Sequence, residues 1–209
     1  MKVLVVSDIH SAISNFKQIV ERVDFDILFI TGDLTNFRPS DVFKIDDIVE
    51  KYCSECYAVH GNCDPESVLS LDLDNINFIH SETLELRDFT LHGIGGSTFT
   101  PFNTPSEYSE EEIREFASKL KISNNVNILI THCPPKGILD KTRFGEHVGS
   151  IAIREIAEKF DFIFCGHIHE ADGIETLGKT VIANPGPAAW RKFIVFDLEN
   201  STISCKTLR

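Results

Sequence analysis

The sequence predicts a mixed α/β fold. Short apolar runs alternate with segments of helical period, and several of those runs are continuously apolar, as in strands buried on both faces. A middle section of closely spaced runs leaves no room for crossover helices and adds antiparallel strands to a sheet that begins parallel.

Taken in order, the run 3–6 is a strand. Ile13, Phe16, Ile19, Val20 and Val23 recur at helical spacing, and the run 27–30 completes a strand, helix, strand unit. Val42, Ile45, Ile48 and Val49 mark a second helix before a short strand at 57–59. The runs 76–79, 83–86 and 90–94 are the closely spaced strands, for which the spacing predicts antiparallel pairing. Glycines, threonines and prolines make 95–105 a loop able to line a site, after which Ser109 and Glu112 form a capping box opening a helix to Leu120. The last third predicts a strand at 128–131, a long loop, a helix at 151–160, a strand at 162–165, and further strands near Val181, at 194–196 and near Ile203.

The 209 residues, 42% hydrophobic and 25% charged, fit one domain over 1–209. A net charge of −12, from 32 acidic and 20 basic residues, disfavours a broad nucleic-acid surface. The apolar run after Met1-Lys2 is far below the ~20 residues of a membrane span, so a soluble, non-secreted protein is expected. Cys53, Cys56, Cys63, Cys133, Cys165 and Cys205 are scattered along a chain long enough to bury a core without disulfides, which predicts free thiols in the cytoplasm.

Five polar clusters each follow a predicted strand: Asp8-Ile9-His10, Gly32-Asp33, Gly61-Asn62-Cys63-Asp64, Thr131-His132 and Gly166-His167-Ile168-His169. Open α/β sheets place their sites at such strand ends. Two carboxylates, one amide oxygen and four imidazoles make a nitrogen and oxygen donor set suited to transition metals such as zinc, manganese, iron or nickel, whereas magnesium or calcium alone would favour oxygens. Asp8 with His10, and His167 with His169, stand two residues apart and can chelate as pairs. The preceding glycines permit tight turns and close approach.

Through these motifs, in this order, the chain resembles the calcineurin-like metallophosphoesterase superfamily, particularly its small bacterial and archaeal phosphodiesterases. The resemblance spans residues 8–169 and implies a four-layer αββα sandwich, two mixed sheets flanked by helices. It implies two divalent transition-metal ions, one held by Asp8, His10, Asp33 and His169 and the other by Asp33, Asn62, His132 and His167, with Asp33 bridging. Asp33, Asn62 and His132 would be catalytic, and Asn62 would also touch substrate. Two departures stand out. Many relatives carry a histidine where this chain has Cys63, and an orienting aspartate where it has Asn36, so the usual general acid is missing. An unperturbed thiol titrates near ~8.5 and donates weakly, which assigns Cys63 to packing around the ligands.

The remaining candidates are weaker. His147, in the loop 143–149, is a candidate substrate contact, and His60, His80 and His92 lie in or beside strands. Asp64 and Glu170 are candidate carboxylates for orienting the metal-binding imidazoles. Cys53 and Cys56 form a Cys-x-x-Cys with no second pair, which reads as packing. Glu110, Glu111 and Glu112 suit the first turn of a helix. The turn Asn184-Pro185-Gly186 is expected near the metals by analogy with relatives.

The expected function is hydrolysis of a small phosphoester, a diester before a monoester, by hydroxide generated on the metals. A non-catalytic module of the same fold is the rival, opposed by seven intact ligands, and a nuclease would need a basic track this acidic chain lacks. A homo-oligomer is compatible with the sequence.

Overall fold

The structure is a computed structural model describing residues 1–208. It opens with β1 (Lys2–Val6), α1 (Ile13–Arg22), β2 (Ile27–Thr31), α2 (Asp41–Tyr52) and β3 (Cys56–Val59), followed by β4 (Ile76–Phe78), β5 (Glu82–Glu85) and β6 (Phe89–Ile94). Next come α3 (Glu110–Ser118), β7 (Val126–Thr131), α4 (Ile151–Ile156), β8 (Phe162–Phe164), β9 (Gly173–Leu177), β10 (Thr180–Asn184), β11 (Lys192–Asp197) and β12 (Thr202–Thr207). The strands form two six-stranded sheets, in the orders β12-β11-β1-β2-β3-β4 and β5-β6-β7-β8-β10-β9. Both are mixed. The run from β1 to β4 is parallel and so is the run β6-β7-β8-β10, while β11, β12, β5 and β9 add antiparallel edges.

The period of two along each strand builds the layers. Val3, Val5, Ile27 and Phe29 point from the first sheet toward Ile128, Ile130, Phe162 and Phe164 of the second, forming the core between sheets. Leu4, Val6, Leu28 and Ile30 point the other way, onto Phe16, Ile19 and Val20 of α1 and Ile45 and Val49 of α2. Leu129 and Ile163 do the same for the second sheet, meeting Ile113 of α3 and Ile153 of α4. Each fully buried side chain of this size stabilises the fold by about 1.5–3 kcal/mol. Continuous apolar runs are therefore required, because both faces of each central strand are covered.

The pairing of the middle strands corrects the expectation. β5 and β6 are antiparallel, but β4 pairs in parallel with β3, and the chain crosses to the other sheet before β5. β9 goes unrecognised in the sequence because it is a mostly exposed edge with no apolar alternation. The capping box forms, with Ser109 Oγ accepting from the Glu112 backbone N–H and the Glu112 carboxylate accepting from that of Ser109. Glu110 reaches across to the first turn of α4, accepting from the N–H groups of Ile151 and Ala152, both at 2.8 Å. The acidic run thus caps two helices.

Candidate metal centre

All seven candidate ligands sit just past the C-terminal ends of strands: Asp8 and His10 after β1, Asp33 after β2, Asn62 after β3, His132 after β7, His167 and His169 after β8. The first three strands belong to one sheet and the last two to the other, so the ligands meet where the sheets adjoin. The turns that present them are strained. Asp8, His10, Asp33 and His167 have φ of 54°, 46°, 50° and 68°, left-handed values that cost side-chain-bearing residues about 1–3 kcal/mol each and concentrate at functional sites. Close approach explains the glycines: a Cβ on Gly61 would lie 2.1 Å from Asp33 Oδ1, and one on Gly166 would lie 1.8 Å from Ser7 Oγ.

Asp33 is at the middle of the cluster, its Oδ2 3.5 Å from His10 Nε2 and 3.5 Å from His132 Nε2. On one side His169 Nε2 is 3.2 Å from both His10 Nε2 and Asp8 Oδ1. On the other, His132 Nε2 is 2.9 Å from Asn62 Oδ1, and the His167 ring centroid is 5.1 Å from that of His132. Ligand atoms of Asp8, His10 and His169, and of Asp8, Asp33 and His132, form groups within 4.8 Å. Asp8 and His132 are fully buried beneath a cleft of about 540 Å³ into which His10, Asp33, Asn62, His167 and His169 open.

The hydrogen bonds around the cluster set the tautomers. His132 Nδ1 donates to the Thr31 carbonyl at 2.8 Å, which leaves a lone pair on Nε2 facing the oxygens of Asn62 and Asp33. The Asn62 amide is fixed because its Nδ2 donates to Thr104 Oγ1 at 2.9 Å. Asn36 Nδ2 donates to the His10 carbonyl, so Asn36 Oδ1 accepts from His10 Nδ1 at 2.9 Å and the His10 lone pair also turns inward. Acceptors therefore face acceptors, an arrangement that only a proton or a cation between them satisfies. The donor set fits divalent metal ions.

The charges agree. Burial lowers the His132 pKa, but Asp33 and Asp8 outweigh burial and raise it to about 9. Burial would raise the Asp33 pKa, yet His132 and His10 hold it below the usual carboxylate range. His167 is pulled down to about 4, first by burial and then by His132, and so is a neutral ligand at pH 7. The raised His132 pKa stabilises the metal-free fold fully below its ordinary 6.5, and that contribution is lost as pH rises through about 9. A metal ion competes with this proton. Binding near neutral pH is expected to release protons, and affinity should rise with pH until His132 and His169, whose pKa values are both raised, against the effect of burial, by the carboxylates beside them, have lost theirs. Calorimetry in buffers of different ionisation enthalpy measures this, and a buffer-independent heat would contradict the His132 protonation.

Several supporting groups differ from expectation. The hydrogen bonds of the Asp64 and Glu170 carboxylates go to backbone N–H groups rather than to the candidate imidazoles. Asp64 accepts from the N–H groups of Leu34, Thr35 and Gly61, bracing the loops that carry Asp33 and Asn62, and Glu170 accepts from Arg143 N–H. Asn36, lacking the carboxylate of many relatives, takes the orienting role on His10 instead. Cys63 lies in the cleft, its sulfur within 4.8 Å of donor atoms of His10 and Asp33 and its N–H donating to Asp33 Oδ1 at 2.7 Å. Burial, then the Asp33 charge, push its thiol pKa well up. His147 lies outside this cleft, with Nδ1 2.6 Å from Asp140 Oδ1. Asn184 donates to the carbonyls of Gly166 and Ile168, holding the His167–His169 turn. Cys53 and Cys56 are free thiols packed against the first core.

The family model of the calcineurin-like phosphoesterase superfamily domain matches residues 1–201. The chain belongs to that superfamily. This calcineurin-like phosphoesterase is 34% identical to the uncharacterized protein MJ1162 of Methanocaldococcus jannaschii, over 97% of this chain and 94% of that one. It is 26% identical to the UPF0046 protein K07C11.7 of Caenorhabditis elegans, over 98% of this chain and 77% of that one. Its fold is similar to that of TT1561 of Thermus thermophilus, with a TM-score of 0.78 at 14% identity, covering 100% of this chain and 99% of that one. A dimetal phosphatase from Danio rerio has a TM-score of 0.67 at 10% identity, covering 99% and 95%. The superfamily implies divalent metal ions, in keeping with the convergent lone pairs. No helix among the described residues is long and apolar enough to cross a membrane.

Proposed function

We propose that this calcineurin-like phosphoesterase is a dinuclear metal-dependent hydrolase of small phosphodiesters. The observation that carries the reading is Asp33 Oδ2, equidistant at 3.5 Å from imidazole nitrogens on either side. Asp8, His10, Asp33 and His169 would hold one ion and Asp33, Asn62, His132 and His167 the other, either of them manganese, iron, zinc or nickel. When bound, such ions polarise a phosphoryl group and acidify water. The chain's own part is to fix the donors: Thr31 and Asn36 set the tautomers, Thr104 aims the Asn62 oxygen, and Asp64 ties together the two loops that carry Asp33 and Asn62. Among charged side chains lining the cleft outside the ligands, Arg143 stands against Glu146 and Glu170, which favours a singly charged diester over a dianionic monoester. A cytoplasmic setting is supported by six free cysteines.

Position 63 carries a thiol in place of the histidine of many relatives, and a thiol is a weak hydrogen-bond donor. Departure of the leaving group therefore depends on the acidity of that group. Cys63→Ala is expected to retain turnover of a nitrophenyl diester within ~3-fold and to leave the preference for nitrophenyl over alkyl leaving groups intact. A loss of ~10²-fold or more would assign acid catalysis to the thiol. The function itself is tested by incubating metal-loaded protein with aryl diesters and the matching monoesters. Diester turnover that exceeds monoester turnover supports the reading, and a preference for monoesters overturns its finer part.

A further inference from the structure

Three phenylalanines on the cleft wall are exposed to a degree that packing does not explain: Phe99 at 71%, Phe102 at 80% and Phe144 at 77%. All three line the same cleft as His10, Asp33 and Asn62. They come from two loops, one before α3 and one before α4. We propose that they bind a planar heteroaromatic group of the substrate, as in a nucleoside ester, while its phosphoryl group lies over the metal ligands. This deepens the phosphodiesterase reading and rests on it.

The loops are built to hold the rings out. The Glu107 carboxylate accepts from Thr100 N–H, Thr100 Oγ1, Thr104 N–H and Thr104 Oγ1, at 2.5–3.0 Å, freezing the turn that carries Phe99 and Phe102. The other loop is closed by Thr142 N–H to the Glu146 carbonyl at 2.9 Å and Gly145 N–H to the Thr142 carbonyl at 2.8 Å, which puts Phe144 at its tip. Arg143 N–H donates to Glu170 at 2.8 Å, anchoring this loop beside His169. Rings presented on such pre-ordered backbone lose little entropy on binding. Exposed aromatic area costs free energy in the free protein, and three rings lining one cleft mark a binding site.

The chemistry selects a flat group rather than an alkyl chain. The Arg143 guanidinium lies 4.8 Å from the Phe144 ring centroid, adding a second planar surface and a positive charge. Polar side chains of Thr98 and Glu146 interrupt the apolar wall. That interruption penalises a continuous hydrocarbon but offers hydrogen bonds to the edge of a heteroaromatic ring. A volume of about 540 Å³ lies in the range of small-ligand sites. Stacking on such rings is sequence-tolerant in nucleic-acid sites and corresponds to roughly 10- to 100-fold in affinity.

The test uses two diesters with the same leaving group, thymidine 5′-p-nitrophenyl phosphate and methyl p-nitrophenyl phosphate, on manganese-loaded full-length protein. The wild type should prefer the thymidine ester by about 10- to 100-fold in kcat/KM, chiefly through KM. In the Phe99→Ala/Phe102→Ala/Phe144→Ala variant, whose changes are at exposed positions, the ratio should fall toward one. Equal rates for both esters in the wild type, or a variant that keeps the ratio, would overturn the proposal. Calorimetric binding of thymidine 5′-monophosphate against methyl phosphate gives the same contrast without turnover. If neither ester is hydrolysed but that binding contrast is present and disappears in the variant, the aromatic site stands and the hydrolase reading fails. If binding shows no contrast, the aromatic site fails whatever the turnover.

Discussion

Asp33→Asn is expected to bind at least one metal ion fewer than the wild type and to hydrolyse phosphodiesters at least ~10²–10³-fold more slowly, the scale of losing one preorganised electrostatic element. The substitution keeps the shape and removes the charge. Asp33 Oδ1 already accepts from Cys63 N–H at 2.7 Å, so an asparagine would keep its oxygen there and turn its NH₂ into the space between His10 and His132. A donor would then occupy the place where a shared acceptor is needed, and the negative charge that screens two cations from each other would be gone. Metal content, turnover and far-UV circular dichroism on both proteins under saturating manganese decide the matter. A folded variant with two ions and near-normal turnover would remove Asp33 from the bridging role.

Stripping the metal is the second large effect. Chelated protein should be inactive and should recover on addition of manganese, zinc, iron or nickel salts. Its thermal midpoint should also fall. An ion present at a hundred times its dissociation constant stabilises by about 2.7 kcal/mol, which for a chain of this size corresponds to roughly 5–10 °C. The metal-free state keeps four candidate ligands in left-handed backbone geometry, with protons on imidazoles such as His132 and His169 in place of an ion to offset Asp8 and Asp33. Scanning calorimetry with and without chelator measures the shift. Undiminished turnover in verified metal-free protein would rule out the catalytic reading, and an unchanged midpoint would show that the cluster does not hold an ion in the folded state.

That the seven candidate ligands converge is legible in the sequence because each follows a continuously apolar strand and most stand in short motifs with a glycine or a fixed spacing. The layers follow from the same runs, since alternate side chains of a strand such as residues 2–6 must bury on opposite faces. Other features depend on information that no local pattern carries. The spacing between β4 and β5 is that of a hairpin, and nothing in 76–86 signals that the chain changes sheets there. Asn36 is judged by its missing carboxylate, yet its amide takes a different partner because the His10 turn folds back onto it. Asp64 is a neighbour of ligands along the chain, but its fully buried carboxylate is used up by three backbone N–H groups. The aromatic rim does carry a local signal: Phe99, Phe102 and Phe144 stand in polar, glycine- and proline-bearing loops outside any sustained helical or strand period.

The straddling of two sheets by the ligands bears on how the protein is made. Asp8 and His169 are separated by 161 positions yet lie 3.2 Å apart, and in the proposed arrangement each ion would draw donors from both sheets. A growing chain that has passed Asn62 already carries four candidate donors on one side, but it offers no imidazole from the far side until residues 132, 167 and 169 have been synthesised and docked. With the proposed ligands, full coordination of either ion would therefore be completed late in folding, after the two halves have paired. Ions held in this way would tie distant parts of the chain together as a cross-link does, so that separation of the sheets would have to wait for their release.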